Sequence, residues 1–154
     1  MKSKRRTLIL AQIDKKFSKW GNLKTLEIPS EGWIHSIRIA IGMNLRQLGK
    51  RLGITPQSTK ELEKREKSGS LTLRGLQEVA NALDLKLVYI LLPNKKSLQE
   101  IIEERAKILA KEIVMRTSQT MKLENQKVSK DRLTDAVQEK AEEIQKEMPS
   151  YLWD

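Results

Sequence analysis

Two helix-start signals lie on either side of one helix-stop signal in the stretch NLRQLGKRLGITPQSTKELEKREK, and this arrangement constrains the fold more than any other feature. Asn44 followed three residues later by Gln47 is the spacing of a capping box, in which each side chain accepts a hydrogen bond from the other residue's backbone N–H. Gly53 can take the positive φ that ends a helix, and Thr55 and Pro56 then supply an N-cap and a first helical residue. The spacing predicts two short helices joined by a turn of about three residues.

The second of these helices is expected to run from Pro56 to about Glu66. Apolar side chains should face inward where two helices cross steeply, and the candidates are Leu48, Leu52, Ile54 and Leu62. Gly49 lies inside the first helix, where glycine costs about 1 kcal/mol relative to alanine. A second backbone segment passing close to Gly49 would explain why glycine is present.

This pattern resembles the helix-turn-helix of the phage-repressor (XRE) type. The resemblance extends over residues 33–84, with GWIHSIRIAIGM as a preceding helix and LTLRGLQEVANALD as a following one. Thr59 departs from the pattern, because such families mostly have Val or Ile there; since threonine is also β-branched, we expect a cost in packing and no loss of the fold. The resemblance implies a mainly α fold, built as a phage-repressor-like helix-turn-helix bundle.

In proteins of this type the second helix enters the major groove with its N-terminal end near the bases. The resemblance implies that the base-reading positions are Gln57, Ser58, Lys60 and Glu61. Glutamine can pair with adenine, lysine with the acceptors of guanine, and glutamate can accept from cytosine, so this set can discriminate between bases. Phosphate contacts, which set register without reading sequence, are expected from Arg46, Lys50, Lys64 and Lys67. The alternative is that these residues form the solvated face of a small helical domain.

The charge of the chain is unevenly distributed. Residues 1–96 contain 20 Lys and Arg against 8 Asp and Glu, a net charge of +12, whereas residues 97–154 contain 10 against 12, a net charge of −2. A strongly positive half suits the neutralisation of phosphates with release of counterions. A basic surface kept for solubility is the alternative that charge alone leaves open.

Three parts are expected along the chain: a basic N-terminal helix with a connector (1–32), a helix-turn-helix DNA-binding domain (33–96) and a helical extension (97–154). The N-terminal helix is predicted over residues 6–20. Its apolar stripe, which would pack on the next domain or lie on an acidic membrane, is Ile9, Ile13, Phe17 and Trp20.

The extension is expected to contain two helices. The apolar face of the first is predicted to be Leu98, Ile102, Ala106, Leu109, Ile113, Thr117 and Met121. Ser129 is a candidate N-cap for the second helix, over residues 130–147. The closing segment PSYLWD is expected to be a frayed terminus, with an aromatic anchor for a partner as the alternative.

The apolar run LKLVYILL at residues 85–92 has too much apolar surface to stay exposed. One possibility is a short strand that pairs with the same strand of a second subunit, because a lone strand needs an edge to pair with. The other is a buried helix. Repressors of the phage type bind as two-fold dimers, so a homodimer is expected.

Composition argues against several functions. There is no cysteine and only one histidine, His35, so a Cys/His zinc site and a Ser-His-Asp triad lack their parts. We find no nucleophile–base pair and no glycine-rich phosphate loop, so the protein is not expected to be an enzyme or to use a cofactor or a metal. The longest apolar run is far below the roughly 20 residues that span a bilayer, and the basic start lacks a signal-peptide pattern. A soluble, cytoplasmic protein that does not bind membranes is expected.

A second resemblance covers nearly the whole chain. The succession of EGWIHSIRIAIGM, QLGKRLGI, SLTLRGLQEVANALDLKLVYILLP and TMKLENQ is similar to a family of small bacterial helix-turn-helix proteins called mobile mystery protein A, which are encoded beside a Fic-domain protein. Fic enzymes transfer AMP from ATP to target hydroxyls, and many are silenced by a helix with the pattern Ser/Thr-x-x-x-Glu-Gly/Asn. The hexamer TMKLEN matches this pattern at Thr120, Glu124 and Asn125.

The spacing of the hexamer suits such a role. In a helix, Thr120 and Glu124 lie on one face, one above the other. Arginines hold the triphosphate in phosphoryl and nucleotidyl transfer, and a carboxylate that pairs with such an arginine removes the group that should hold the γ-phosphate. The resemblance implies that Glu124 misaligns ATP, that Thr120 secures the docked helix and that Asn125 helps to end it. Surface residues on an amphipathic helix are the alternative.

The sequence as a whole predicts the antitoxin of a Fic toxin–antitoxin pair. Its basic half would bind operator DNA as an autoregulating repressor, and residues 97–154 would inhibit AMP transfer by the Fic-domain partner. The alternatives are a stand-alone repressor whose C-terminal helices only mediate dimerisation, and a nucleoid or membrane-surface protein that uses the basic N-terminal helix.

Overall fold

The computed structural model describes residues 2–123 and 129–154, and within these ranges the chain has seven α-helices and no β-strand. In chain order the helices are α1 (Lys2–Ser18), α2 (Trp33–Ala40), α3 (Leu45–Leu52), α4 (Pro56–Lys67), α5 (Leu73–Ala82), α6 (Leu98–Leu123) and α7 (Lys130–Glu147). Short 3-10 helices span Gly21–Thr25 and Ser150–Trp153. The expectation of a mainly α fold is confirmed.

The chain divides into two compact units. The terminal unit consists of Met1–Lys24 together with Leu92–Asp154, and the central unit is Thr25–Leu91. This division differs from the three parts expected from the sequence, because α1 shares a unit with α6 and α7.

The core of the central unit is apolar and small. Its buried residues are Ile34, Leu48, Val79 and Leu83. Half-buried side chains that pack around them are Ile37, Met43, Leu52, Leu62, Leu71, Leu76 and Ala82. The inward positions predicted for α3 and α4 are therefore correct for Leu48, Leu52 and Leu62, and Ile54 is half-buried in the turn between them.

Local signals set the ends of the helices in this unit. Asn44 and Gln47 form the predicted capping box: Gln47 N donates to Asn44 Oδ1 at 2.9 Å, and Asn44 N donates to Gln47 Oε1 at 2.8 Å. The N-terminus of α2 has a cap supplied from a distant helix. The backbone N–H groups of Trp33 and Ile34 each donate to a carboxylate oxygen of Glu66, both at 2.9 Å. These two bonds tie the start of α2 to the end of α4.

The terminal unit packs α6 along α7. Its buried core residues are Ile102, Ala106, Ala110, Ala141, Ile144 and Leu152. The three alanines are completely buried, and small residues of this kind let two helix backbones approach closely. Of the face predicted for α6, Ile102 and Ala106 are buried, Leu109, Ile113 and Met121 are half-buried, and Thr117 is exposed. Ser129 caps α7 as predicted, since its hydroxyl accepts from Arg132 N at 3.3 Å.

Helix α1 belongs to the terminal unit, where it contacts α6. Leu10 packs against the core of this unit, and Ile13 and Phe17 are half-buried. The predicted stripe is wrong at its two ends, because Ile9 is 45% exposed and Trp20 is 49% exposed. The packed face of α1 is therefore rotated relative to the predicted one and is narrower.

The segment PSYLWD is folded and not frayed. Ser150–Trp153 forms a 3-10 helix, and Leu152 is completely buried. Arg105 holds this segment against α6, because its Nε donates to Leu152 O at 2.6 Å and its Nη2 donates to the main-chain oxygen of Asp154.

Residues 85–92 form neither a helix nor an assigned strand. The buried-helix alternative is wrong, since Val88, Tyr89 and Leu91 are 75%, 70% and 83% exposed. Pairing with a second subunit stays a prediction. Across the described ranges, no helix is long and apolar enough to span a membrane.

Candidate functional site

Three residues, Gly53, Thr55 and Pro56, form the turn that ends α3 and begins α4. Gly53 ends α3 in the left-handed conformation, with φ 69° and ψ 29°. Thr55 then caps α4, because its hydroxyl accepts from Ser58 N at 3.0 Å, and Pro56 is the first residue of α4. The backbone N–H of Ile54 donates to Gly49 O at 2.9 Å, which closes the turn back onto α3.

Gly49 is present because the turn and α4 pass close to α3. A Cβ at this position would lie 2.7 Å from the carbonyl oxygen of Ile54 and 2.8 Å from Oγ1 of Thr59. The prediction that a second backbone segment passes close to Gly49 is therefore confirmed. Thr59 is completely buried, and its hydroxyl donates to Thr55 O at 2.9 Å, so the polar group that departs from the expected Val or Ile is satisfied locally.

All four predicted base-reading residues are exposed on the first two turns of α4. Helical spacing places Gln57, Lys60 and Glu61 on one face of α4, opposite the buried Thr59. Ser58 lies at the edge of this face, where its Oγ accepts a hydrogen bond from Thr55 Oγ1 at 2.9 Å. Three of the four side chains are thus presented together, while the hydroxyl of Ser58 is engaged at the start of the helix.

The four predicted phosphate-contacting residues are also exposed, but they differ in what they contact. Arg46 and Lys50 are one turn apart on α3, and Lys64 is 3.9 Å from Glu61 on α4. Lys67 is engaged elsewhere, because its Nζ donates to Glu31 Oε1 at 2.8 Å.

The Lys67 contact also changes the acidity of its partner. The hydrogen bond from Lys67, followed by its charge, lowers the pKa of the exposed Glu31 carboxyl below its ordinary value. A phosphate contact by Lys67 would require this ion pair to break. Of the four residues, the other three are the better candidates for phosphate binding.

A buried ion pair that the sequence analysis missed holds α4 in place. Arg38 and Glu63 are 5% and 7% exposed, and Arg38 Nε donates to Glu63 Oε1 at 2.5 Å. His35 Nδ1 lies 3.0 Å from Glu63 Oε2. Burial raises the pKa of Glu63, but the hydrogen bonds from Arg38 and His35 outweigh it, and the net pKa lies below its ordinary value.

A signal for this pair was present in the sequence. Arg38 lies four residues after the buried Ile34, and Glu63 lies four residues after Thr59, so each charge falls on the inward face of its own helix. Because a buried charge needs a partner of opposite sign, two such charges predict each other.

The second candidate site is only partly described. Thr120 lies on the last full turn of α6, is exposed, and donates its hydroxyl hydrogen to Arg116 O at 3.1 Å. Glu124 and Asn125 lie outside the described residues. The helical context expected for the start of the hexamer is therefore present at Thr120, and the predicted pairing with Glu124 on one face stays a prediction.

Residues 2–123 and 129–154 contain no group of three or more His, Cys, Asp or Glu residues placed to hold a metal ion. No family model, curated protein or solved structure matches the chain.

Proposed function

We propose that this chain is a cytoplasmic DNA-binding regulator without enzymatic activity. Its central unit acts as a helix-turn-helix of the phage-repressor type and reads operator DNA in the major groove through α4. The observation that carries the proposal is the presentation of α4: Gln57, Lys60 and Glu61 are exposed together on its N-terminal half. The opposite face is fixed by the buried Thr59 and Glu63.

The chemistry of this face fits the edges of base pairs. Glutamine, lysine and glutamate can each recognise a different base, and side chains on one fixed helix face keep their spacing when the helix enters a groove. Arg46 and Lys50 extend from α3, where a positive charge can grip the phosphates beside the groove.

The test is selection of duplexes from a random DNA library with the full chain, followed by two single substitutions on the same helix. Gln57→Ala should relax the preference at one base position, at a cost of about 1–3 kcal/mol for the preferred base. Lys64→Ala should weaken binding to all duplexes equally and lower the salt dependence by about one unit of slope. If no sequence is enriched, the proposal fails.

A second activity is proposed for the terminal unit: inhibition of a Fic-domain enzyme that transfers AMP. The supporting observation is that α6 carries the exposed Thr120 on its last turn, as the start of the hexamer requires. Helix α6 is packed along α7, and this helix pair would carry the inhibitory segment to the enzyme. The two activities together would make the chain an autoregulating antitoxin.

The experiment is AMP transfer by the Fic-domain protein encoded beside this gene, co-purified with the wild-type chain or with Glu124→Gly. The complex should form in both cases, and only the Glu124→Gly complex should label targets, because the carboxylate is gone. Gln119→Gly is the matched control, since it puts glycine in the same region and keeps Glu124. If no partner co-purifies, or if both glycine variants behave alike, the chain is better described as a repressor whose C-terminal helices only mediate dimerisation.

A further inference from the structure

The positive charge of the first 96 residues is concentrated outside the central unit. Residues 1–24 contain eight Lys and Arg and one acidic residue, a net charge of +7, whereas residues 25–91 contain ten and seven, a net charge of +3. The unit that carries the candidate base-reading helix therefore has the smaller share. The segment that contains α1 therefore carries more net positive charge for the attraction of a polyanion than the central unit does.

Most basic side chains of this segment lie on one side of α1, in one group near each end of the helix. At 100° per residue, five of them fall within an arc of about 120°. They lie on α1 and the turn directly after it, and they are Lys4, Arg5, Lys15, Lys16 and Lys19. We call this the α1 basic face. All five side chains are exposed, and none forms an ion pair with a residue in the described ranges.

No acidic residue interrupts this face. The one carboxylate in the helix, Asp14, points to the opposite side and is engaged there. Its two oxygens accept from Leu98 N at 2.8 Å and from Gln99 N at 3.1 Å, so it caps the N-terminus of α6. Arg6 is also outside the face, since its Nη1 donates to Met148 O at 3.0 Å. The α1 basic face thus keeps its full charge.

The packing of α1 decides between two classes of anionic partner. A helix that lies in a membrane surface buries its apolar face between the lipids. In α1 that face is already used, because Leu10 packs into the core of the terminal unit and Ile13 and Phe17 are half-buried. Three apolar side chains of this segment stay exposed, Leu8 at 64%, Ile9 at 45% and Trp20 at 49%, and the five basic side chains outnumber them. This favours a nucleic-acid backbone over a lipid surface.

The dimensions of the face also fit a duplex. Lys4 and Lys19 are fifteen residues apart, which corresponds to about 22 Å along a helix axis. Duplex DNA carries one negative charge per about 1.7 Å of its axis, so a face of this length can reach several phosphates. Lysine and arginine side chains that contact phosphates bind a duplex without regard to its sequence.

We propose that the α1 basic face is a second DNA contact, which binds the phosphate backbone independently of sequence. The choice of duplex DNA as the polyanion rests on the proposed function of the central unit. Specificity and nonspecific affinity would then reside in different units of one chain. The base-reading face would choose the site, and the α1 basic face would supply much of the salt-dependent affinity for any duplex.

The experiment measures the affinity of the full chain for a random-sequence duplex as a function of salt concentration. One variant replaces all five residues of the α1 basic face by glutamine. A matched control makes five such changes at exposed basic residues of α6 and α7, namely Lys107, Lys111, Arg116, Lys130 and Arg132. Both variants lower the net charge from +10 by five. Circular dichroism confirms that each variant is folded.

The α1 variant should lose about tenfold or more in affinity for the random duplex, and its slope of log K against log salt should fall by about two to four. The control should change the slope by less than one, because its basic residues lie among the acidic residues of α6 and α7. Equal effects of the two variants, or no effect of either, would overturn the proposal. Tighter binding of the wild-type chain to anionic vesicles than to DNA, lost in the α1 variant, would also overturn it in favour of a membrane.

Failure of this proposal can be told apart from failure of the proposed function. If a sequence preference exists but the α1 variant binds random DNA as well as the wild-type chain does, only the present inference fails. If no sequence preference exists and the α1 variant still loses its affinity for random DNA, the base-reading role fails and the present inference stands.

Discussion

Arg38 and Glu63 form an ion pair that is buried between α2 and α4. Two bonds join the side chains, from Arg38 Nε at 2.5 Å and from Arg38 Nη2 at 3.2 Å. The third donor, Nη1, bonds to Met43 O at 2.9 Å, so the guanidinium also holds the segment that leads into α3. One side chain therefore connects the parts of the central unit on which the candidate base-reading face depends.

Arg38→Ala should lower the free energy of unfolding by about 3–5 kcal/mol, because it leaves the Glu63 carboxylate buried without its partner. The measurement is denaturant unfolding followed by circular dichroism. The exposed pair of Arg74 and Glu78 is the control, since its side chains are 90% and 64% exposed. Arg74→Ala should cost less than about 1 kcal/mol. Equal losses in the two variants would contradict a structural role for the buried pair.

The same pair predicts how stability depends on pH. The pKa of Glu63 is lower in the folded chain than its ordinary value of 4.5, so the unfolded chain takes up the proton first as the pH falls. The stabilisation is fully present above the ordinary pKa and is lost as the pH falls through the lowered one. Unfolding should be measured for the wild-type chain and Glu63→Gln between about pH 3 and pH 7. Their difference in unfolding free energy should be constant above about pH 5.5 and shrink below 4.5; parallel curves would rule out this origin.

Gly49→Ala should destabilise the central unit even though alanine is ordinarily the better helix former. The added methyl would lie 2.7 Å from a backbone oxygen, that of Ile54, and overpacking of this kind costs about 1–3 kcal/mol. Gly75→Ala in α5 is the matched control. Its nearest neighbour is the flexible end of Leu71, which can move aside, so it should be neutral or stabilising. Thermal unfolding of both variants provides the comparison.

Short-range signals were enough to predict the candidate base-reading unit. Asn44, Gly53 and Thr55 act on backbone groups within a few residues, so their spacing alone located both ends of α3 and the start of α4 to within one residue. Gly49 also predicted a local contact correctly. Glycine destabilises the interior of a helix, so its presence there indicates that another backbone segment passes close by. The base-reading positions on α4 came from the resemblance to phage-repressor proteins, and all four are exposed.

Features that depend on distant residues were missed or misjudged. The caps that Asp14 gives to α6 and Glu66 gives to α2 come from residues more than thirty positions away. Leu152 was expected in a frayed tail, yet it completes a core whose other members begin at Ile102. A local pattern cannot show which carboxylate or apolar side chain a folded chain will bring to a given place. The place of α1 in the terminal unit was missed for the same reason.

The cap on α6 gives the last prediction. Asp14→Ala removes a carboxylate that accepts from Leu98 N and Gln99 N, leaving two backbone donors without this partner at the positive end of the helix dipole. The unfolding free energy of the terminal unit should fall by about 1–2 kcal/mol. Asp14→Asn should recover part of the loss, because an amide oxygen can still accept one of the bonds.

The control for this prediction is Asp135→Ala, which removes an equal charge from an exposed position on α7 and should change stability by less than about 0.5 kcal/mol. Hydrogen exchange at the backbone amides of Leu98 and Gln99 gives the local measurement. Exchange there should become faster in Asp14→Ala and stay unchanged in Asp135→Ala. If instead the two alanine variants were equally stable and showed equal protection, the cap would contribute nothing, and α1 would be held to α6 by the packing of Leu10 and its apolar neighbours alone.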